Sequence, residues 1–393
     1  MSEKLQRAWE DYNAVVEAAR VAVEGRAVSE QRATGYRCLA EAQAMAYNWA
    51  IAPRTDHPRI VSHTVWSTYY FTLAGNCTDF IYSAVFLDGR RRYRLRGRFG
   101  DVRLVLLQVF NGLMGSDGTR CLSNHEWVHP PAGADDTIDI VLGAEQEDGH
   151  WIALDAGSRY NVVLIRRLMG DWFDDKGELD IEALDPPVAD DEDAETALAG
   201  RLAMAGGFLK TAIYEWGIAL VDRTAARAGV NNWLNVAGAQ MAAIGGSSTC
   251  NYAFMVHDIQ PDEALVIEME APRDSAFWSF QMFDMWSRSL DFMHRHTDIN
   301  MRRAWVDVDG KVRAVISFED PGVNNWLDPA GLRQGLCAMR NYLAATQPAP
   351  SVTRVKFGEV LRHLPEGTPR VDAAGRAAML RHRRLGVRRL YDL

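Results

Sequence analysis

Between about residues 60 and 170 this chain alternates apolar and polar side chains with a period of two, and Asp-Gly pairs punctuate it at 88–89, 117–118 and 148–149. Successive side chains of a strand point to opposite faces, so this period specifies β-structure with one face in a core. Asp-Gly supplies the positive φ of a tight turn and is the strongest short hairpin signal. Strands must therefore dominate the fold. The first pair joins FIYSAVFL to RRRYRLRGRF, and a two-residue loop there sets Tyr82 opposite Leu95 and Ala84 opposite Tyr93.

Helical patterning flanks this region. Residues 2–24 and 29–52 read as amphipathic helices, with Leu5, Trp9, Tyr12, Val15, Val16 and Ala19 at helical spacing in the first and Pro53 ending the second. The acidic stretch Asp185–Asp193 reads as a linker into helical sequence from about 195 to 228, interrupted by Gly206-Gly207. Strand patterning returns near 250 and continues to 318, where an Asp309-Gly310 hairpin sets Trp305 opposite Ala314 and Val306 opposite Arg313. Asp328-Pro329 has the form of an N-cap and N1 proline and predicts a helix to about Thr346. The tail from Asp372 to Leu393 predicts a basic amphipathic helix. The expected fold is β-rich α+β. N-terminal helices (1–55) precede a first sandwich-like or jelly-roll-like lobe (56–190), a helical connection (191–250), and a second such lobe with C-terminal helices (251–393). AGVNNWLNVAG at 228–238 and PGVNNWLDPAG at 321–331 echo each other, but nothing flanking them matches, so they read as two similar turns rather than a duplicated unit.

Composition narrows the function classes. Of 393 residues, 48% are hydrophobic and 24% charged, which suits a folded globular protein, and a formal net charge of −9 argues against nucleic acid as a partner. The five cysteines (38, 77, 121, 250, 337) form no C-x-x-C pair, so neither a disulfide framework nor a zinc ribbon is implied. The start, MSEKLQRAWEDYN, is charged, and no apolar run reaches the length of a membrane span. A cytoplasmic protein with no membrane partner is expected.

Three motifs need a decision. His125-Glu126-Trp127-Val128-His129 matches a zinc-protease pattern that requires a helix, yet Pro130 and Pro131 follow at once and push His129 out of the α region. No metal is assigned there. Arg90, Arg92, Arg94, Arg96 and Arg98 fall on one face of a strand; an anion-binding stripe is weighed against a solvated face whose stems cover Ile81 and Val85, and the second is preferred. Asp171-Trp172, at the end of a strand, suits either a pocket rim or a cap beside a core indole.

The segment from Phe277 to Trp326 concentrates four of the chain's twelve Trp among Asp, Asn, Arg and His. Aromatic walls with a few placed polar groups make a small-molecule pocket. Trp278, Trp286, Trp305 and Trp326 are the expected walls, with Arg288, Asn300, Asn324, Asn325, Arg340, Tyr82 and Tyr93 orienting a ligand. His294 and His296 are the acid–base candidates, supported by Asp291 or Asp284, because imidazole takes and gives a proton near neutrality.

The run F-W-S-F-Q-M-F-D, then R-H-T-D-I-N, then D-P-G-V-N-N-W-L-D-P-A-G with Gly335 and Arg340, resembles the bacterial domain-of-unknown-function family 1214, often paired with family 1254. Tyr93–Gly100, Asp148–Trp151, Asp171-Trp172 and Ile181-Glu182 are similar to it as well, so the resemblance spans roughly 76 to 342. It implies β-rich sheets with interposed helices and a loose association with catabolism of aromatic, steroid or terpenoid compounds. It supplies no catalytic residues.

The leading expectation is a cofactor-independent lyase or hydrolase acting on a hydrophobic aromatic or polycyclic molecule. The alternative is a non-catalytic protein that binds such a ligand or an assembly partner. A homo-oligomer is also expected, from the basic C-terminal helix of an acidic chain.

Overall fold

The computed structural model describes residues 2–26, 29–62, 71–130, 134–189, 192–242 and 244–392. Residues 63–70 of the alternating region, Pro131 and residues 190–191 of the acidic linker lie outside the described residues. The chain is β-rich α+β and divides into two units. The first holds Met1–Leu73, Phe80–Met169 and Asp174–Glu215, and the second Ala74–Asp79, Gly170–Phe173 and Trp216–Leu393.

In the first unit the strands are β1 (Val61–Ser62), β2 (Phe80–Leu87), β3 (Tyr93–Arg98), β4 (Leu104–Phe110), β5 (Cys121–Val128), β6 (Thr137–Gly143), β7 (Trp151–Ala153), β8 (Asn161–Leu168) and β9 (Glu178–Ala183). They form a five-stranded sheet in the order β1-β2-β8-β4-β5 and a four-stranded sheet β7-β6-β3-β9. Helices α1 (Glu3–Gly25), α2 (Arg32–Ala46) and α3 (Ala194–Lys210) accompany them. Ser2 caps α1 by accepting from Leu5 N at 3.3 Å, and Asp193 caps α3 by accepting from Glu195 N and Thr196 N, each at 3.0 Å. Trp49, in a π-helical turn after α2, stacks on Phe208 of α3 and meets Phe86 of β2 edge-on, so this helical layer covers the β2 face that carries Phe86.

The second unit contains β10 (Leu234–Val236), β11 (Cys250–Asp258), β12 (Glu263–Glu270), β13 (Phe277–Phe283), β14 (Asp298–Asn300), β15 (Lys311–Ser317), β16 (Trp326–Leu327), β17 (Gln334–Tyr342) and β18 (Ser351–Lys356). Its sheets run β10-β11-β17-β13-β14 and β16-β15-β12-β18. Met255, Trp278, Phe280 and Met339 from one sheet and Ile267, Val312 and Ile316 from the other share one buried cluster, which makes this unit a sandwich. Helices α4 (Leu220–Ala228), α5 (Gly238–Ala242) and α6 (Ala373–Leu390) complete it.

The two units repeat one topology. Counting strands within each from first to ninth, both five-stranded sheets read first–second–eighth–fourth–fifth, and both four-stranded sheets read seventh–sixth–third–ninth. The sixth and seventh strands pair in parallel in both units. Registers align residue by residue: Arg166 of the eighth strand lies opposite Tyr82 and Leu106, and Arg340 lies opposite Tyr252 and Ser279. Trp151 Nε1 donates to the Gly143 carbonyl at 3.2 Å, and its counterpart Trp326 Nε1 donates to the Ser317 carbonyl at 3.0 Å. The 228–238 and 321–331 echo is a different matter. Its copies fall on the first and seventh strands of the same unit, which are not equivalent positions.

Several sequence expectations are corrected. Asp88-Gly89 does not close a hairpin between β2 and β3, because β2 pairs with β1 and β8 while β3 pairs with β6 and β9. Tyr82 is opposite Arg166, not Leu95, and Tyr93 is opposite Leu142 and Ala183, not Ala84. Asp148-Gly149 joins parallel neighbours, and Asp117-Gly118 does join the antiparallel pair β4–β5. Trp305 and Val306 lie outside any strand, while Ala314 and Arg313 face Ile267 and Glu268. The helix expected from Pro329 to Thr346 is instead the central strand β17. Gly206-Gly207 does not break α3. A Cβ on Gly207 would lie 2.4 Å from the Gly115 carbonyl oxygen, so glycine there permits a close backbone approach.

Candidate functional site

The residues singled out by sequence are spread over both units. Tyr82 and Tyr93 belong to the first unit, the others to the second. Trp278 is buried in the cluster between the two sheets of its unit, and Trp286 is fully buried in the turn after β13. Trp305 is 39% exposed, with Nε1 donating to Asp307 Oδ1 at 3.1 Å. Trp326 lies beneath Arg376, whose guanidinium carbon is 5.1 Å from the ring centroid. Tyr82 lies under Arg166, and the Tyr93 hydroxyl donates to the Asp88 carbonyl and accepts from Asp88 N.

The polar candidates hold backbone. Asp284 Oδ1 accepts from Trp286 N at 2.8 Å and Arg288 N at 2.9 Å, which fixes the turn after β13 and places Arg288 Nη1 at 3.5 Å from Oδ2. Asn300 accepts from Arg302 N and Arg303 N and donates to the Gly170 carbonyl. Asn325 accepts from Trp305 N and donates to the carbonyls of Trp305 and Arg313; Asn324 donates to the Arg303 carbonyl and Asn325 Oδ1. Arg340 Nη1 donates to Gln281 Oε1 at 3.1 Å, and its Nη2 reaches the carbonyls of Gly75 and Asn76.

The two histidines separate. His296 is buried, its Nδ1 lies 2.7 Å from the Trp326 carbonyl, and burial with the charges of Arg383 and Arg376 pushes its pKa down to about 3. It is neutral at cellular pH and holds β16 in place. His294 is 45% exposed in its side chain, with Nδ1 3.0 Å from Asp291 Oδ1 and 3.1 Å from Oδ2. That carboxylate–imidazole pair is the solvent-exposed part of the expected acid–base set.

A buried ionic network lies in the second unit, and sequence reasoning caught only pieces of it. Asp298 Oδ2 meets Arg383 Nη1 of α6 at 2.6 Å, Asp298 Oδ1 meets Arg303 Nη2 at 2.6 Å, and Asp79 Oδ1 meets the same Nη2 at 2.8 Å. Trp172 lies against both cations, with guanidinium carbons 4.0 Å (Arg303) and 4.5 Å (Arg383) from its ring centroid. Burial pushes the Asp298 carboxyl up, but Arg383 and Arg303 overcome that and hold it below the usual range. Asp79 is pushed up by burial and by Asp298, against the pull of Arg303. Asp171-Trp172 and the H-T-D-I-N run were visible in sequence; Asp79, Arg303 and Arg383 carried no local signal.

The H-E-x-x-H run is an edge strand, β5, with the His125 ring stacked on Trp127. The arginine stripe is neutralised by carboxylates: Arg90 by Asp88, Arg92 by Glu147 and Asp185, Arg94 and Arg96 by Asp139, Arg98 by Asp175.

A cavity of about 790 Å³ opens between α1 and α3 in the first unit, lined by Tyr12, Val15 and Leu202 together with the cations Lys4, Arg7 and Lys210 and the carboxylates Glu3, Asp11 and Asp117. Among the described residues no helix is long and apolar enough to cross a membrane.

The solved structure of an uncharacterized protein from Burkholderia cenocepacia is similar to this chain at 25% identity and a TM-score of 0.79, covering 89% of this chain and 97% of its own. A Vibrio parahaemolyticus structure covers 80% of this chain and 98% of its own at 12% identity and a TM-score of 0.47, too loose to carry an argument. No curated protein matches. Over residues 258–346, a narrower stretch than the sequence motifs suggested, the chain matches the family described as protein of unknown function (DUF1214), and the resemblance to that family stands.

Proposed function

We propose that this protein binds a hydrophobic or amphipathic small molecule without transforming it, in the cavity between α1 and α3. The cavity itself supports this reading. Its volume of about 790 Å³ lies in the range of ligand pockets, and an apolar wall of Tyr12, Val15 and Leu202 is accompanied by three cations, Lys4, Arg7 and Lys210, and three carboxylates, Glu3, Asp11 and Asp117. A ligand with a greasy body and a polar group matches that mixed lining. The reading also fits the histidines, since His296 holds structure rather than protons. A cytoplasmic setting belongs to the same proposal, because all five cysteines are free thiols and four of them are buried.

The test is a thermal-shift and calorimetric screen against aromatic, steroid and fatty acids. A ligand that binds the folded state raises Tm by mass action. Ala203 is exposed and lines the cavity, so Ala203→Trp fills it without disturbing a core. The reading requires loss of that shift in the variant. An unchanged shift would place the ligand elsewhere.

A second reading, a cofactor-independent lyase or hydrolase, rests on one observation: the His294–Asp291 pair. It requires single-turnover conversion of a bound ligand that His294→Ala abolishes.

A further inference from the structure

The loop after α2 borders a separate cavity of about 340 Å³ in the first unit. Its charged lining is entirely basic: Arg54, His57 and Arg59, set beside Pro53, Val61 and Phe86. Asp56 lies in the same loop but is engaged by Arg54 through Nε at 3.1 Å and Nη2 at 2.5 Å. Arg59 has no hydrogen-bond or ion-pair partner among the described residues, so one cation at this cavity is left without a counter-charge.

The loop is held firmly enough to form a site. Buried Arg91 donates Nη1 to the carbonyls of Thr55 and Asp56, each at 3.0 Å. Arg201 Nη1 donates to the carbonyls of Ala50 at 2.9 Å and Pro53 at 3.0 Å. Two guanidinium groups thus fix the backbone on both sides of Arg54. The apolar side is equally fixed, since Phe86 is 2% exposed and its ring meets Trp49 edge-on at 5.8 Å.

We propose that this cavity is a binding site for a small organic monocarboxylate with an apolar or aromatic body. A planar guanidinium presents a pair of N–H donors that match the two oxygens of a carboxylate. Val61 and Pro53, backed by the buried Phe86, provide the surface against which an apolar body loses water. A bare inorganic anion would use the cations and leave that surface unused. The site is distinct from the α1–α3 cavity and does not depend on the reading given for it.

Calorimetric titration of the full-length protein with benzoate and with inorganic phosphate tests this. Saturable one-to-one binding of benzoate is expected, weakened at least tenfold by Arg59→Gln with Tm unchanged, since that side chain supports no other group. Arg54→Gln should weaken it as well. Ala203→Trp, which fills the α1–α3 cavity, should leave benzoate binding intact, so failure of one site is distinguishable from failure of the other. Absence of saturable benzoate binding, or binding indifferent to both arginine variants, overturns the proposal. Phosphate binding as tight as benzoate, with the same dependence on Arg59, overturns the assignment of an apolar carboxylate.

Discussion

Arg166 and Arg340 occupy the same place in two separate units: each lies on the eighth strand opposite a tyrosine and donates Nη1 to the Oε1 of a glutamine on the fourth strand, Gln108 in one case and Gln281 in the other. Both arginines are almost fully buried, at 4% and 3% exposure. A buried charged donor bonded to a neutral acceptor contributes more than an ordinary hydrogen bond. Arg166→Met and Arg340→Met should therefore each lower stability by about 1.5–3 kcal/mol. Urea midpoints measure this, and a neutral outcome at either position would show that the two are not doing the same job.

The ionic groups of this chain differ in worth according to burial. Asp298→Asn removes the shared partner of Arg303 and Arg383 and leaves buried guanidinium groups undercompensated; a loss of about 3–5 kcal/mol is expected. Arg94→Gln breaks an equally short 2.6 Å pair with Asp139, but both side chains are more than a third exposed, and the loss should not exceed about 1 kcal/mol. Chemical denaturation of the two variants side by side decides the comparison. Equal losses would refute it.

Acid should destabilise the protein through two buried imidazoles. Burial holds His257 at about 4 and His296 at about 3, both below the unfolded value of about 6.5. The unfolded chain then binds protons that the folded chain does not, so stability falls as pH drops below about 6.5 and continues to fall until the folded values are reached. Replacing either residue by Gln should flatten the slope between about pH 6 and pH 5 by about one proton, or about 1.4 kcal/mol per pH unit. Asp79 acts in the opposite sense but is common to parent and variant, so it cancels. Urea midpoints at successive pH values give the slope directly.

Two glycines of α3 should respond oppositely to alanine. A Cβ at Gly200 meets nothing within 4 Å, so Gly200→Ala should stabilise by about 0.5–1 kcal/mol. At Gly207 the added carbon lies 2.4 Å from a backbone oxygen of Gly115, which cannot swing aside. Overpacking of about 1–3 kcal/mol outweighs the helical gain there, and Gly207→Ala should lower Tm. Calorimetric scans of both variants would show the difference in sign.

What the sequence made legible was local. The first two helices, the helical connection, the C-terminal helix and the β-rich character came from period and capping alone. Partnership between strands did not. The turn chemistry at Asp88-Gly89 is real, yet the next strand crosses to the other sheet, and the glycine is needed because a Cβ there would lie 1.8 Å from the Asp155 carbonyl oxygen. Asp328-Pro329 likewise caps a turn, with Asp328 Oδ1 accepting from Ala330 N at 2.7 Å. The next element, β17, is buried on both faces, and there no period separates strand from helix. The surroundings of the individual indoles were hidden for a related reason. Trp278 and Trp326 are close in sequence but serve different layers of one sandwich, and composition alone cannot say which layer a ring enters.

The repeated topology gives every measurement on this protein a built-in control. Tolerance to substitution at Tyr82, Gln108, Trp151 and Arg166 can be read against Tyr252, Gln281, Trp326 and Arg340, residues carried by the same gene at the same expression level. Where twin positions agree, the shared architecture sets the limit. Where they part, one copy is answering to selection for something other than folding, and a deep mutational scan would map those departures before any ligand is known.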